Sequence, residues 1–72
     1  MAELDFILVT LNGKHHRTRA GTTVRALLEQ LEMSLEHMAV ELNHAIVKRK
    51  DWEHTMLQPG DTVEVVRLVG GG

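Results

Sequence analysis

The chain has 72 residues, contains no cysteine and carries a formal net charge of −2. This length accommodates one small domain, and the lack of cysteine excludes disulfides, thiolate metal sites and thiol chemistry. The mildly acidic balance argues against nucleic acid as the main partner. The apolar runs are too short to span a membrane, and Glu3 and Asp5 disfavour a secretory signal. We therefore expect a cytoplasmic protein.

The first predicted elements form a hairpin. Residues Leu4 to Leu11 are rich in aliphatic and β-branched side chains, which predicts a first strand. Asn12-Gly13 follows, and both residues tolerate the positive φ angles of a type I′ turn. Lys14 to Arg19 is then the returning strand, and its polar composition favours an edge position.

A helix is predicted next. Thr22 or Thr23 is suited to cap its first turn, and we expect it to end near Met33. Arg25 and Glu29 lie four residues apart on its polar side, where they can form a weak ion pair. The apolar stripe that would face the core consists of Val24, Leu27, Leu28 and Leu31.

The second half of the chain predicts short strands separated by turns. Lys48 to Asp51 is polar and expected at the surface, and Trp52 is expected to be a partly buried anchor. The predicted elements are a strand at Ala39 to Leu42, a turn at Asn43-His44, a return at Ile46-Val47, a helical turn at Trp52 to Met56, a turn at Pro59-Gly60 and a last strand at Thr62 to Arg67.

This order of elements predicts an α+β domain. One main helix packed on one face of a mixed sheet of four or five strands is the ubiquitin-like β-grasp arrangement. The first and last strands are the most apolar, so we expect them to lie centrally. Residues 1–67 would form the single domain, and residues 68–72 a flexible glycine tail.

Side-chain chemistry is sparse. Five histidines raise the question of a metal site, but His15 and His16 are adjacent and on a strand would face opposite sides. His37, His44 and His54 fall in predicted connections, and no familiar ligand spacing is present. We therefore expect solvated histidines, no metal, no bound cofactor and no catalytic residue.

The terminal glycines offer another kind of chemistry. Gly70, Gly71 and Gly72 have no Cβ, so this backbone can pass through a narrow channel in another protein. Residues 68–72 span at most about 17 Å when extended. A carboxylate at their end is a poor electrophile and would need activation by a partner that uses ATP. The alternative is an inert, frayed tail or a cloning artefact.

Several segments, in this order, resemble those of one known family. The chain is similar over essentially its whole length to the ThiS family of thiamine-biosynthesis sulfur carrier proteins. It departs from the family pattern at Lys48, where the family often has proline. The segments that carry the resemblance are Leu11-Asn12-Gly13, Gly21-Thr22-Thr23-Val24, Leu42-Asn43, Ile46-Val47, Gly60-Asp61 and Val69-Gly70-Gly71-Gly72.

The resemblance implies a carrier rather than an enzyme. Gly72 would be adenylated by a ThiF-type adenylyltransferase with MgATP and then converted to a thiocarboxylate. The sulfur would come from a persulfide generated by a cysteine desulfurase and would pass to thiazole synthase. Gly70 and Gly71 would line the narrow passages in both partners.

Strand alternation adds a docking hypothesis. Phe6 and Leu8 on the first strand, with Val66 and Leu68 on the last, would lie on the face that the helix leaves uncovered. We expect them to form an apolar partner-docking patch near the tail. We expect the free protein to be a monomer.

Three alternatives stay open. The small subunit of molybdopterin synthase has the same tail and fold but a different sulfur acceptor. The chain could also serve another sulfur pathway or be a protein modifier. From a different class, a ubiquitin-like or RNA-binding β-grasp module would have an inert tail.

Overall fold

The computed structural model describes residues 5–68, which form a five-stranded mixed sheet with one α-helix. The elements are β1 (Phe6–Leu11), β2 (Lys14–Arg19), α1 (Val24–Gln30), β3 (Met38–Leu42), β4 (Ala45–Val47), a 3₁₀ helix (Arg49–His54) and β5 (Thr62–Arg67). The strand order is β2-β1-β5-β3-β4; β1 and β5 are parallel, and the other neighbours are antiparallel. The predicted β-grasp arrangement is confirmed, with β5 at the centre.

Both predicted two-residue hairpin turns are confirmed. Asn12 and Gly13 have φ angles of 49° and 85°, and Asn43 and His44 have φ angles of 52° and 70°. Two consecutive positive φ angles define the type I′ turn, whose twist matches that of the flanking strands. These turns set the registers of the β1–β2 and β3–β4 hairpins.

The two turn asparagines also fix the central strand. The backbone N–H of Val65 donates to Oδ1 of Asn12, and that of Thr62 donates to Oδ1 of Asn43, both at 2.8 Å. Asn43 Nδ2 in turn donates to Oδ1 of Asp61 at 3.0 Å. Side-chain oxygens of the two turns thus accept from two backbone donors of β5, one partly buried and one exposed.

Helix α1 begins as predicted but ends earlier. Thr23 caps it, with its Oγ1 accepting from the N–H of Ala26 at 3.1 Å. The helix ends at Gln30 rather than near Met33. Glu32 has a φ of 57°, and Met33 N–H donates to the Leu28 carbonyl at 3.3 Å. This is the Schellman arrangement, with glutamate at the position that glycine usually occupies.

The polar face of α1 carries the predicted ion pair. Arg25 Nε lies 3.3 Å from Oε2 of Glu29, and Arg25 Nη1 lies 3.4 Å from Oε1 of Glu53. These side chains are about half exposed, so each pair contributes only a few tenths of a kcal/mol. The contacts nevertheless join α1 to the 3₁₀ helix.

The predicted helical turn at residues 52–56 is a 3₁₀ helix that begins earlier and ends earlier. Lys48 is extended and precedes it, and Asp51 N–H donates to the Lys48 carbonyl at 2.8 Å. Thr55 is again extended, and Met56 forms a bridge with Thr23. The helix ends before Thr55 because the chain must pair here with the start of α1.

Trp52 is more deeply buried than the sequence predicted. Its side chain is 3% exposed, and Nε1 donates to the Val47 carbonyl at 2.9 Å. The guanidinium of Arg49 lies 5.8 Å from the centre of its ring. Trp52 therefore fastens the 3₁₀ helix to the end of β4 and belongs to the core.

The core lies between α1 and one face of the sheet, which we call the covered face. Alternate residues of β1, β3 and β5 point into it, and the α1 stripe packs against them. The hydroxyl oxygens of Thr18 and Thr22, both buried, are joined by one hydrogen bond of 3.1 Å. The buried apolar residues are Val9, Val24, Leu27, Leu28, Met38, Val40, Trp52, Leu57, Val63 and Val65.

Candidate functional site: the open sheet face and the start of the tail

The opposite side of the sheet, which we call the open face, is not covered by α1. Since side chains alternate along a strand, the residues between the core positions point to this side. The registers place on it Phe6, Leu8 and Thr10 of β1, His15, Arg17 and Arg19 of β2, Ala39 and Glu41 of β3, Ile46 of β4, and Thr62, Glu64 and Val66 of β5.

The four residues of the predicted docking patch are all exposed. Phe6 and Leu8 are 46% and 49% exposed, and Val66 and Leu68 are each 54% exposed. Leu68 follows the end of β5, and its N–H donates to the His37 carbonyl at 2.6 Å. This bond continues the β3–β5 ladder up to the last residue that the structure describes.

The register separates these four residues into two pairs. In the parallel β1–β5 ladder Thr10 is level with Thr62, and Gly60 N–H donates to the Leu8 carbonyl at 2.8 Å. Leu8 and Val66 are therefore about six residues apart along the strands, roughly 20 Å at 3.3 Å per residue. Only Val66 and Leu68 lie at the tail end of the open face, so the structure shows two apolar groups rather than one patch.

Arg17 is a residue of the open face that sequence reasoning did not single out. Its guanidinium carbon lies 4.5 Å from the centre of the Phe6 ring. Arg17 pairs in register with Leu8, which makes Phe6 a diagonal neighbour on the same face. The sequence did contain a signal for this contact, because a two-residue turn at Asn12-Gly13 places Arg17 opposite Leu8, next to Phe6.

The predicted tail residues Gly70, Gly71 and Gly72 lie outside the described residues, as do Leu4 and Val69. The predicted division between a domain of residues 1–67 and a tail of residues 68–72 stays a prediction. The structure supplies the starting point of the tail: Leu68 leaves the end of the central strand, next to His37.

The histidines were expected to be solvated, and one of them is not. His16 lies half-buried opposite Val9, and its Nε2 is shielded from solvent without a hydrogen-bond partner. His15 lies opposite Thr10 on the open face, so the two adjacent rings point to opposite sides as predicted. Within residues 5–68 no three histidine or acidic side chains come together as metal ligands.

Neither a deep pocket nor a membrane-spanning helix is present in the part of the chain that the structure describes. The candidate functional surface is thus a shallow sheet face rather than a cleft. Such a face can bind a macromolecular partner through exposed apolar side chains.

The family model described as the ThiS family matches residues 7–72 of this chain. The chain belongs to the ThiS family. The resemblance stated from the sequence is confirmed, and the match includes the open-face residues from Leu8 onwards, but not Phe6, as well as the three terminal glycines.

A solved structure and two curated relatives are similar to this chain. The crystal structure of the thiamine biosynthesis protein ThiS from Geobacter metallireducens superimposes with a TM-score of 0.82 at 32% identity, covering 92% of this chain and 100% of that one. The sulfur carrier protein ThiS of Escherichia coli is 33% identical over 64 residues, which are 89% of this chain and 97% of that protein.

The second relative is much longer than this chain. The thiazole synthase of Magnetococcus marinus is 44% identical over 64 residues, which are 89% of this chain but 20% of that protein. The chain thus spans about one fifth of this relative. A ThiS-like sequence accordingly occurs within a polypeptide named for thiazole synthase.

Proposed function

We propose that this chain is a sulfur carrier of thiamine biosynthesis and that the sulfur travels as a thiocarboxylate on Gly72. The family match carries the proposal, because it runs through residue 72 and so includes Gly70, Gly71 and Gly72. A similar protein of Escherichia coli is named a sulfur carrier. Since the chain contains no cysteine, a side-chain thiol cannot hold the sulfur.

The carboxylate must first become an electrophile. A ThiF-type adenylyltransferase with MgATP would let the Gly72 carboxylate attack the α-phosphorus, which forms an acyl-adenylate and releases pyrophosphate. The outer sulfur of a persulfide, derived from a cysteine desulfurase, then attacks the acyl carbon and AMP leaves. A second thiol cleaves the resulting S–S bond; the thiocarboxylate stays on Gly72, and the two thiol sulfurs become a disulfide.

In this scheme the carrier contributes no catalytic residue. Its tail is long enough and narrow enough to bring the Gly72 carboxylate into a partner's active site. Leu68 is held against His37 at the end of the sheet. From there an extended segment to Gly72 spans at most about 17 Å. Because Gly70, Gly71 and Gly72 have no side chains, the segment can enter a channel that would exclude larger residues.

Thiazole synthase is the proposed acceptor of the sulfur. The support is the similarity of this chain to one fifth of a protein named thiazole synthase. Joining a carrier to its acceptor in one polypeptide raises the effective concentration of each for the other. Such a fusion favours an acceptor that meets the carrier directly.

The open face is the proposed docking surface for the activating enzyme. Phe6 and Leu8 form one apolar contact, and Val66 and Leu68 form a second contact beside the tail. All four side chains are about half exposed in the free protein. Burying them against a partner removes apolar surface from water without disturbing the covered face.

Intact-mass measurement tests the carrier function. After incubation with a ThiF-type enzyme, MgATP and a persulfide source, we expect a gain of about 16 Da, from replacement of oxygen by sulfur. Omitting ATP must abolish the gain. Deleting Gly72 must also abolish it while the melting temperature stays unchanged. An unmodified full-length chain, with an enzyme that is active on its own carrier, would contradict the proposal.

The acceptor is tested separately. We expect the thiocarboxylate form to support thiazole formation by thiazole synthase and to rescue a thiamine auxotroph. Rescue of molybdopterin synthesis instead would assign the chain to the alternative pathway while leaving the Gly72 chemistry intact.

A further inference from the structure

The open face carries charges of opposite sign in two different places. Arg17 and Arg19 lie on β2, aligned with Leu8 and Phe6. Glu41 of β3 and Glu64 of β5 are register partners on the same open face, on the two strands that follow β1 in the sheet order. The basic side chains thus accompany the apolar group of β1, and the acidic ones lie towards the tail.

The acidic pair is unfavourable for the isolated domain. Like charges directly opposite each other on an antiparallel pair destabilise the sheet. None of the ion pairs within residues 5–68 involves Glu41 or Glu64. Ile46, aligned with Glu41, is 72% exposed beside them. A local cost that nothing in the described structure offsets is expected at functional surfaces.

The Arg17 side chain, at the end of the open face away from the tail, is held in one orientation by Phe6. Its guanidinium stacks on the Phe6 ring, which limits the rotamers that the side chain can adopt. A stacked guanidinium keeps its N–H edges available, and those edges match a carboxylate in bidentate geometry. The arrangement suits an acidic group of a partner that also contacts Phe6 and Leu8.

The two charged regions are far enough apart to act independently. Arg17 is level with Leu8, and Glu64 lies two residues beyond Thr62, which is level with Thr10. The separation is about 13 Å along the strands and about 10 Å across them. This exceeds the screening length of about 8 Å at physiological salt. The arginine and the glutamates therefore do not neutralise each other.

We infer that the open face is a polarised docking surface for the activating enzyme. An acidic group of the enzyme would bind Arg17 above Phe6, and a basic group would lie between Glu41 and Glu64 beside Ile46. The inference rests on the proposed carrier function and specifies the partner's chemistry. Opposite charges at two points favour one docking orientation over its reverse, which directs the tail to one side of the complex.

A charge swap tests the effect of the open face's charge polarity on binding while the net charge of the chain stays the same. The double variant Arg17→Glu with Glu64→Lys keeps the net charge of −2 but reverses the polarity of the face. We expect its association rate with the ThiF-type enzyme to fall at least about tenfold at low salt, with a smaller loss at high salt. The matched control is Lys50→Glu with Glu32→Lys, which makes the same swap away from the open face at two exposed side chains and should change the rate less than about twofold.

The single variant Glu64→Lys provides a second, independent result. It replaces a repulsive cross-strand pair with an attractive one, so the melting temperature should rise by about 3 °C. Association should nevertheless become slower. A mutation that stabilises the free protein and weakens binding cannot act through misfolding.

The outcomes distinguish the two proposals. If the wild-type chain gains the mass of a sulfur atom in place of oxygen but the open-face swap associates like wild type, the polarity inference is overturned and the carrier function stands. If the open-face swap and its control lost the same fraction of the association rate, the polarity inference would also be overturned. A wild-type chain that neither binds nor is modified would contradict the carrier function itself.

Discussion

The covered and open faces of the sheet come from the same strands yet serve different ends. In β5, Val63 and Val65 are buried against the helix side, whereas Glu64 and Val66, which alternate with them, are exposed. The covered face supplies the apolar burial that holds a small domain together. The open face leaves apolar side chains exposed, and among the ion pairs of residues 5–68 none involves its Glu41 or Glu64. Substitutions on the covered face should therefore change folding, and those on the open face should change binding.

The largest effect on stability is expected for Leu27→Ala on the covered side. Leu27 is fully buried in the core, and truncation there should cost about 2–5 kcal/mol of unfolding free energy. That is a large share of the total for a domain this small. Urea denaturation measures the loss, with Leu8→Ala on the open face as control. Equal losses in both variants would contradict the division between the faces.

An intermediate effect is expected where the hairpin turns join the central strand. Asn12→Gly keeps a residue suited to positive φ but removes the acceptor for the N–H of Val65, and Asn43→Gly does the same for Thr62. Each should cost about 1 kcal/mol, and amide exchange at Val65 or Thr62 should accelerate.

The control for Asn12→Gly is Asn12→Asp, which retains an oxygen acceptor and should keep the Val65 amide protected from exchange. Unchanged exchange in Asn12→Gly would show that the side-chain bond contributes nothing to the position of β5.

Sequence patterns predicted most of the sheet because turn chemistry and alternation act locally. The bounds of β2 and β5 match the prediction, and Asn-Gly placed the first hairpin correctly. The end of α1 was missed because Glu32 adopts the left-handed conformation that a sequence signals with glycine. The side-chain acceptors on β5 could not be predicted, since they depend on which strands become neighbours.

The candidate site was predicted in its faces but not in its layout. Alternation correctly exposed Phe6, Leu8, Val66 and Leu68. The parallel register of β1 and β5, which separates them into two pairs, is a long-range property that a local pattern does not contain. The antiparallel β1–β2 register places Arg17 beside Phe6, and the antiparallel β3–β5 register places Glu41 opposite Glu64.

The smallest effects on stability are expected for Phe6→Ala and Leu8→Ala on the open face. Both side chains are about half exposed, so each truncation should cost less than about 1 kcal/mol of stability. Affinity for the ThiF-type enzyme should fall about tenfold, as for a contact that is buried only in the complex. Isothermal titration calorimetry measures the loss of affinity, and thermal melting measures the loss of stability. A large drop in melting temperature with unchanged affinity would place these residues in the core instead.

Locating the added sulfur tests the central claim most directly. Arg67 is the last basic residue of the chain, so trypsin should release a peptide of residues 68–72 after the sulfur-transfer reaction. We predict that this peptide carries the entire mass gain of about 16 Da and that fragmentation assigns it to Gly72. A gain on any other peptide, or no gain on this one, would contradict the account.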